Sequence, residues 1–162
     1  MAARQSDERL TEEPTPITIY VDADACPVKD EVYRVARRYG VRVTIVANSW
    51  MRVPEDGSFQ LVLVEGDVEA ADDWIAEHAG EGDIVVTADI PLADRCLKAG
   101  ARVLGHRGRE FTHDSIGEAV AARNLSAELR DMGIQTRGPE PFERKDRSLF
   151  LQALDAMLQG ST

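Results

Sequence analysis

The sequence predicts an α/β fold with a mostly parallel sheet. Short β-rich apolar runs alternate with stretches whose apolar residues recur at helical spacing, as is typical of parallel βαβ units. Two strand-to-helix junctions also share one plan. Residues 17–27 and 84–91 each consist of an apolar run, an Ala-Asp step and a proline suited to the first turn of a helix. We therefore expect a sheet whose strands end in acidic residues.

The predicted elements follow one another along the chain with short connections. Strands are expected at 17–21, 41–47, 59–64, from 84, and at 101–104. Helices are expected from about Pro27 to Gly40, within 65–79, up to about Lys98, up to about Asp131, and from Asp146 onward. Ser115 and Glu118 have the spacing of a capping box, Asp146 is the expected cap of the last helix, and 133–141 is a Gly/Pro-containing connector.

Composition and charge limit the class of protein. The 162 residues include 43% hydrophobic residues, enough for one domain over 16–160, and residues 1–15 are polar and aperiodic, which predicts a disordered leader. The net charge of −10 argues against sequence-blind binding to nucleic acid. No apolar run is long enough to span a bilayer, so a soluble cytoplasmic protein is expected. Cys26 and Cys96 lack metal-ligand spacing and are expected to be reduced structural thiols.

The first junction supplies the first candidate site. Side chains two residues apart on a strand point the same way, so Asp22 and Asp24 are expected to leave the carboxyl end of the strand on one side. Ligands of open α/β sheets bind at that end. The alternative is that Asp24 only caps the helix and Asp22 lies in a turn.

Two more aspartates are expected to converge on this site. Asp89 follows the second junction strand. In the helix of 65–79, Asp72 falls within the apolar stripe whereas Asp73 falls on the polar side, and a carboxylate in a buried stripe needs a partner. Asp72 is therefore preferred over Asp73, with a position at the helix edge as the alternative. The face of Asp94 stays open.

Several polar residues could contact an anionic substrate. Asn48 follows the second strand, although turn chemistry explains it equally well. The glycine-bracketed loop 105–109 offers Arg107 or Arg109 for paired hydrogen bonds to a phosphate, unless it is simply a solvated loop. The three histidines have no zinc-like grouping and are expected to be ordinary polar residues.

Taken together, the motifs resemble one family. They are VDADACPVK, VAN, AD in the middle helix, GDIVVTADIPLA, the arginine loop, and a late GP followed by KDR and F. The chain is similar over about 17–158 to the YaiI/YqxD family of uncharacterised bacterial proteins. Its departures are His106 where the family usually has Pro, and Asp94 where it usually has Ala.

The resemblance implies a PIN-like, three-layer α/β/α fold related to metal-dependent nucleases. Acidic ligands of such proteins match Asp22, Asp72 and Asp89 as catalytic and metal-binding residues, with Asp24 as a further ligand from the family's DAD motif. The implied cofactor is Mg²⁺ or Mn²⁺, and the implied substrate is single-stranded nucleic acid, RNA above all. PIN-like proteins often pair, so a homodimer is also implied.

Three functions follow as hypotheses. In the first, a nuclease or phosphodiesterase, the aspartates hold one or two cations, and substrate contacts come from Lys29, Asn48, Arg107 and Arg147, with Trp50 stacking on a base. The second is a non-catalytic PIN-like binding module. The third is a phosphatase of the haloacid-dehalogenase type, which has the D-x-D spacing of Asp22 and Asp24 but has Cys26 where a Thr is usual.

Overall fold

The computed structural model describes residues 16–67, 69–136 and 140–160. The predicted leader, residues 1–15, lies outside the described residues. The strands are β1 (Thr18–Asp22), β2 (Arg42–Ala47), β3 (Phe59–Leu63), β4 (Ile84–Val86), β5 (Arg102–Leu104) and β6 (Glu110–Phe111). The helices are α1 (Lys29–Tyr39), α2 (Glu69–His78), α3 (Ile90–Lys98), α4 (His113–Asp131) and α5 (Arg144–Gln159).

The six strands form one mostly parallel sheet, as predicted. Their order is β3-β2-β1-β4-β5-β6, and β6 alone pairs antiparallel, with β5. In register, Val21 of β1 lies between Ile45 of β2 and Val86 of β4. The chain leaves β1 toward β2 on one side and later crosses to β4 on the other. The β1–β4 boundary is therefore a topological switch point, where a crevice opens at the carboxyl ends of the strands.

Helices cover both faces of the sheet and complete the three-layer α/β/α arrangement. On one face, α1 and α5 pack on alternate strand residues such as Ile19 and Val21, with Phe150 fully buried between the layers. On the other face, α2, α3 and α4 pack on residues such as Val85 and Val103. Period-two alternation separates these two cores, because successive strand side chains point to opposite faces.

Some helix ends lie where the sequence predicts them, and others do not. Gly40 ends α1 in the left-handed conformation with φ +66°, as predicted. The predicted capping box of Ser115 and Glu118 is wrong. Thr112 caps α4 one turn earlier: its Oγ1 accepts from Ser115 N at 3.1 Å, and its own N–H donates to Ser115 Oγ at 2.9 Å.

The predicted cap of the last helix is also wrong. Asp146 lies inside the first turn of α5, where its Oδ2 accepts from the Glu143 N–H at 2.8 Å, and Glu143 is the N-cap residue. Ser, Thr, Asp and Glu can each be the N-cap of a helix or the capping partner three residues after it. The spacing of two such residues therefore does not show where the helix begins.

The basic loop 105–109 joins two strands of a hairpin. Gly105 N donates to Arg109 O at 2.9 Å, and β6 follows immediately. Two-residue β6 is too short to give a periodic signal, and the sequence did not predict it. Among the helices within the described residues, none is long and apolar enough to cross a membrane.

Candidate functional site

The first carboxylate is placed by the alternation of β1. Tyr20 packs on the α2–α3 side of the sheet, so Asp22, two residues later, faces the same side. Beyond it, Cys26 N donates to Ala23 O at 3.2 Å and closes a tight turn in which Ala25 has φ +60°. This conformation is costly for a residue with a Cβ. The turn delivers Asp24, which is exposed, to the edge of the same crevice.

Thr87 ties the first carboxylate to the second. Its Oγ1 donates to Asp22 Oδ2 at 2.8 Å and accepts from the Asp89 N–H at 3.0 Å. Asp89 is the N-cap of α3, with its Oδ1 accepting from Leu92 N at 2.9 Å. A fully buried hydroxyl thus holds the ends of two neighbouring strands in one fixed arrangement. Thr87 was not among the predicted site residues, although its place two residues before Asp89 is the available signal.

The third carboxylate comes from α2. Ala71 and Ile75 of this helix are buried against the sheet, and Asp72 beside them is half-buried and lines the crevice. Asp73 does not line that crevice; its Oδ1 accepts from Arg95 Nη1 at 2.8 Å, and its side chain is 55% exposed. The preference for Asp72 over Asp73 therefore agrees with their placement. Asp94, left open by the sequence, pairs with Lys98 at 3.1 Å.

These residues surround one crevice of about 570 Å³, called here the acidic cleft. Its lining is Asp22, Asp24, Ala25, Asn48, Asp72, Ala88, Asp89 and His106. Two of its polar atoms are buried without a hydrogen-bond partner in the described part of the chain, namely Asn48 Oδ1 and His106 Nε2. Asn48 Nδ2 donates to Asp67 O at 3.0 Å, so the side chain is held with its carbonyl oxygen unpaired.

Burial and mutual repulsion disfavour negative charge in the acidic cleft. Burial raises the pKa of Asp22 to about 6, the charges of Asp89 and Asp24 act in the same direction, and the hydrogen bond from Thr87 opposes them. Burial likewise raises the pKa of Asp72 to about 7, with added repulsion from Asp89 and Asp22. Titratable groups with such shifts cluster at functional sites.

The pKa of the His106 imidazole shifts in the opposite direction, downward. Burial lowers its pKa to about 4, and the nearby charges of Lys29 and Arg107 add to this effect. The ring is therefore neutral at pH 7 and can offer a hydrogen bond in the acidic cleft. Sequence reasoning treated His106 as an ordinary polar residue, because the signal of a lone histidine in a loop is weak.

The donor set fits a hard divalent cation. Mg²⁺ and Mn²⁺ prefer oxygen ligands, and the acidic cleft offers four carboxylates and the unpaired amide oxygen of Asn48. Over residues 16–67, 69–136 and 140–160, no three His, Cys, Asp or Glu side chains lie close enough together to hold a metal ion as they stand. Coordination by Asp22, Asp72 and Asp89 thus requires side-chain rotations that draw mutually repelling carboxylates together.

The structure does not bring the predicted basic residues into the lining of the acidic cleft. Lys29 Nζ donates to Cys26 O at 3.0 Å, and Arg147 donates to Pro27 O and lies 3.4 Å from a carboxylate oxygen of Glu31.

Arg107 lines a neighbouring cavity of about 520 Å³, which shares Ala25, Ala88 and His106 with the acidic cleft. Its guanidinium donates to Asp146 Oδ2 at 2.8 Å and to the carbonyl oxygens of Glu140 and Pro141. Three of its five N–H donors are therefore already engaged within the protein.

Two other arginines lie nearer to the carboxylates. Arg95 of α3 and Arg123 of α4 line a hollow of about 340 Å³ that shares Asp72 and Asp89 with the acidic cleft. Arg95 is paired with Asp73, whereas Arg123 has no ion pair among the described residues. The sequence offered no sign of this, because Arg123 is distant along the chain and α4 lacks a clear apolar stripe.

The sequence that carries these aspartates matches a known family over most of the chain. The model of the family described as "Uncharacterized BCR, YaiI/YqxD family" matches residues 20–160. The chain belongs to the YaiI/YqxD family. This confirms the resemblance drawn from its motifs.

Relatives that are similar to most of the chain are UPF0178 proteins. A UPF0178 protein of Caulobacter sp. (strain K31) is 58% identical over 85% of this chain and 91% of its own length. A second, from Bradyrhizobium sp. (strain ORS 278), is 53% identical over 93% and 92% of the two chains. A third, from Nitrobacter winogradskyi, is 54% identical over 90% and 92%. No solved structure matches the chain.

Proposed function

We propose that this YaiI/YqxD protein is a metal-dependent phosphodiesterase of the nuclease type that acts on single-stranded RNA. The observation that carries the proposal is the convergence of Asp22 from β1, Asp72 from α2 and Asp89 from the β4–α3 junction on one cleft at the carboxyl edge of the sheet. These three would hold Mg²⁺ or Mn²⁺, with Asp24 at the rim as a further ligand.

The residues of the acidic cleft have chemistry suited to a phosphodiester. A divalent cation held there would supply a water of lowered pKa and would neutralise charge on the leaving oxygen. The Asn48 carbonyl oxygen can accept a hydrogen bond from a water or a sugar hydroxyl. Arg123 can hold the phosphate from the neighbouring hollow.

A cleavage assay tests this proposal. The full chain is incubated with Mn²⁺ and end-labelled single-stranded RNA, and products are resolved by electrophoresis. Asp22→Asn, Asp72→Asn and Asp89→Asn each remove one ligand charge with little change of shape and are expected to lose at least about 99% of the cleavage rate. Asp94→Asn is the matched control and is expected to cleave normally, because Asp94 pairs with Lys98 and lines neither the acidic cleft nor the hollow of Arg123. Cleavage that survives in Asp22→Asn would contradict the assignment.

A non-catalytic binding module is the second candidate. The observation that favours it is that the basic side chains predicted to hold a substrate phosphate, Lys29, Arg107 and Arg147, do not line the acidic cleft. In that case the acidic cleft binds a cation or a protein partner without turnover. Saturable Mn²⁺ binding by the wild type, together with no cleavage of RNA or other phosphoesters across a broad panel, would select this function over the nuclease.

A further inference from the structure

A second pocket lies apart from the acidic cleft. It has a volume of about 500 Å³, lies between α1 and the loop 48–58, and is called here the arginine pocket. Its lining is Asp30, Tyr33, Arg34, Arg37, Arg52 and Pro54. It shares no lining residue with the acidic cleft.

The arginine pocket is locally positive in an acidic protein. Three guanidinium groups and one carboxylate line it, whereas the whole chain has a net charge of −10. Asp56 engages Arg37 through bonds of 2.6 and 3.0 Å. In the part of the chain that the structure describes, Arg34 and Arg52 have neither a hydrogen bond nor an ion pair from their side chains. Their donors are therefore available to an anion.

Tyr33, which is among the lining residues of this pocket, has a buried hydroxyl without a partner among the described residues. Tyr33 is 7% exposed, its ring packs on Phe59 at 5.1 Å between centroids, and its hydroxyl has no hydrogen-bond partner within the described residues. An unpaired buried hydroxyl is costly, so this one is poised for an acceptor. Burial and the charge of Asp30 raise the Tyr33 pKa, which keeps the group protonated. An acceptor-rich anion such as a phosphate satisfies both the hydroxyl and the guanidinium groups.

The loop 48–58 connects the arginine pocket to the acidic cleft. Asn48 lines the acidic cleft and Arg52 lines the arginine pocket, so even a fully extended chain separates their Cα atoms by at most about 14 Å. Between them, Trp50 is 70% exposed. A cleft, an exposed aromatic ring and a basic pocket within this span match the stacking and charge pattern by which proteins follow single-stranded nucleic acid.

We propose that the arginine pocket binds a backbone phosphate of the single-stranded nucleic acid whose reacting phosphate enters the acidic cleft, with Trp50 stacked on a base between them. This inference rests on the proposed function for its choice of ligand. It assigns strand binding to Arg34, Arg52 and Tyr33, and not to the Lys29 and Arg147 that the sequence suggested.

Fluorescence anisotropy of a labelled oligouridylate of about ten nucleotides, in EDTA, tests the inference on the full chain. Arg52→Gln is expected to weaken binding about fivefold and to reduce the slope of log K against log salt by about 0.7, the value for one phosphate contact. Arg144→Gln is the matched control, since Arg144 also lacks a described partner but lies outside the pocket, and it is expected to bind within about twofold of wild type.

Tyr33→Phe separates a binding role from a structural one. It removes only the unpaired hydroxyl, so we expect an unchanged or higher melting temperature together with about threefold weaker binding. Wild-type affinity in both Arg52→Gln and Tyr33→Phe, or no binding by the wild type, overturns the inference. The nuclease proposal can fail separately. If these variants bind more weakly but the wild type shows no Mn²⁺-dependent cleavage, the arginine pocket is retained as a nucleic-acid site and only catalysis is rejected.

Discussion

At the scale of single residues, the ionised carboxylates of the acidic cleft lower the stability of the protein. Asp22 and Asp72 titrate near 6 and 7, well above the ordinary carboxyl value of 3.8, because they are buried and lie near other aspartates. Between about pH 4 and 7 the folded state therefore binds protons that the unfolded state has released. By linkage, the free energy of unfolding falls as pH rises through this window. The cost is fully present once pH exceeds the folded pKa values.

This sign gives a prediction for Asp72→Asn. The variant cannot acquire the charge, so its free energy of unfolding, relative to wild type, should increase as pH rises from about 4 to 8. Urea unfolding at a series of pH values measures the difference. Comparing variant with wild type largely cancels other groups, including His106, whose lowered pKa acts with the opposite sign. A difference independent of pH would show that Asp72 titrates normally in the folded protein.

At the scale of elements, the hairpin loop 105–109 is fixed by close contact with α5. Gly108 has φ +89°, and a Cβ placed on it would lie 2.6 Å from Leu149 O and 3.0 Å from Phe150 N. These are backbone atoms of a packed helix and cannot move aside cheaply. The ion pair of Arg107 with buried Asp146 holds the same loop against the first turn of α5. The loop thus locates His106 in the acidic cleft.

Gly108→Ala should therefore be strongly destabilising. The left-handed backbone and the overpacking together are expected to lower the free energy of unfolding by about 3 kcal/mol. Gly117→Ala is the contrasting control. It lies within α4 with nothing within 4 Å of an added Cβ, so it should stabilise by about 0.5–1 kcal/mol. Denaturant unfolding of both variants checks this. Equal effects of the two substitutions would contradict the close approach of the loop to α5.

At the scale of the whole molecule, local sequence patterns were enough to predict the layers of the fold and the aspartates that line the acidic cleft. Strand and helix periodicity predicted five of the six strands and the helices between them. The two strand-to-helix junctions marked Asp22, Asp24 and Asp89, because strand ends in a parallel sheet converge. The apolar stripe of α2 distinguished Asp72 from Asp73. Each of these inferences depends only on residues close together in sequence.

The basic groups were harder to predict because their positions depend on distant partners. Arg147 is drawn toward Glu31 and Pro27 O, and Arg107 toward Asp146, so neither faces the acidic cleft. Long flexible side chains settle where acceptors happen to lie in the folded protein. The same reason hid Arg123, and a two-residue strand hid the hairpin that places His106.

The most direct test of the central claim is a calorimetric titration of the full chain with Mn²⁺ near neutral pH. We predict saturable binding by the wild type and by Asp73→Asn. Asp22→Asn and Asp89→Asn should weaken binding by about tenfold or more, while the fold persists because asparagine also caps α3 at position 89. No binding by the wild type, or binding unchanged in both variants, would contradict a cation site built from β1, α2 and the β4–α3 junction.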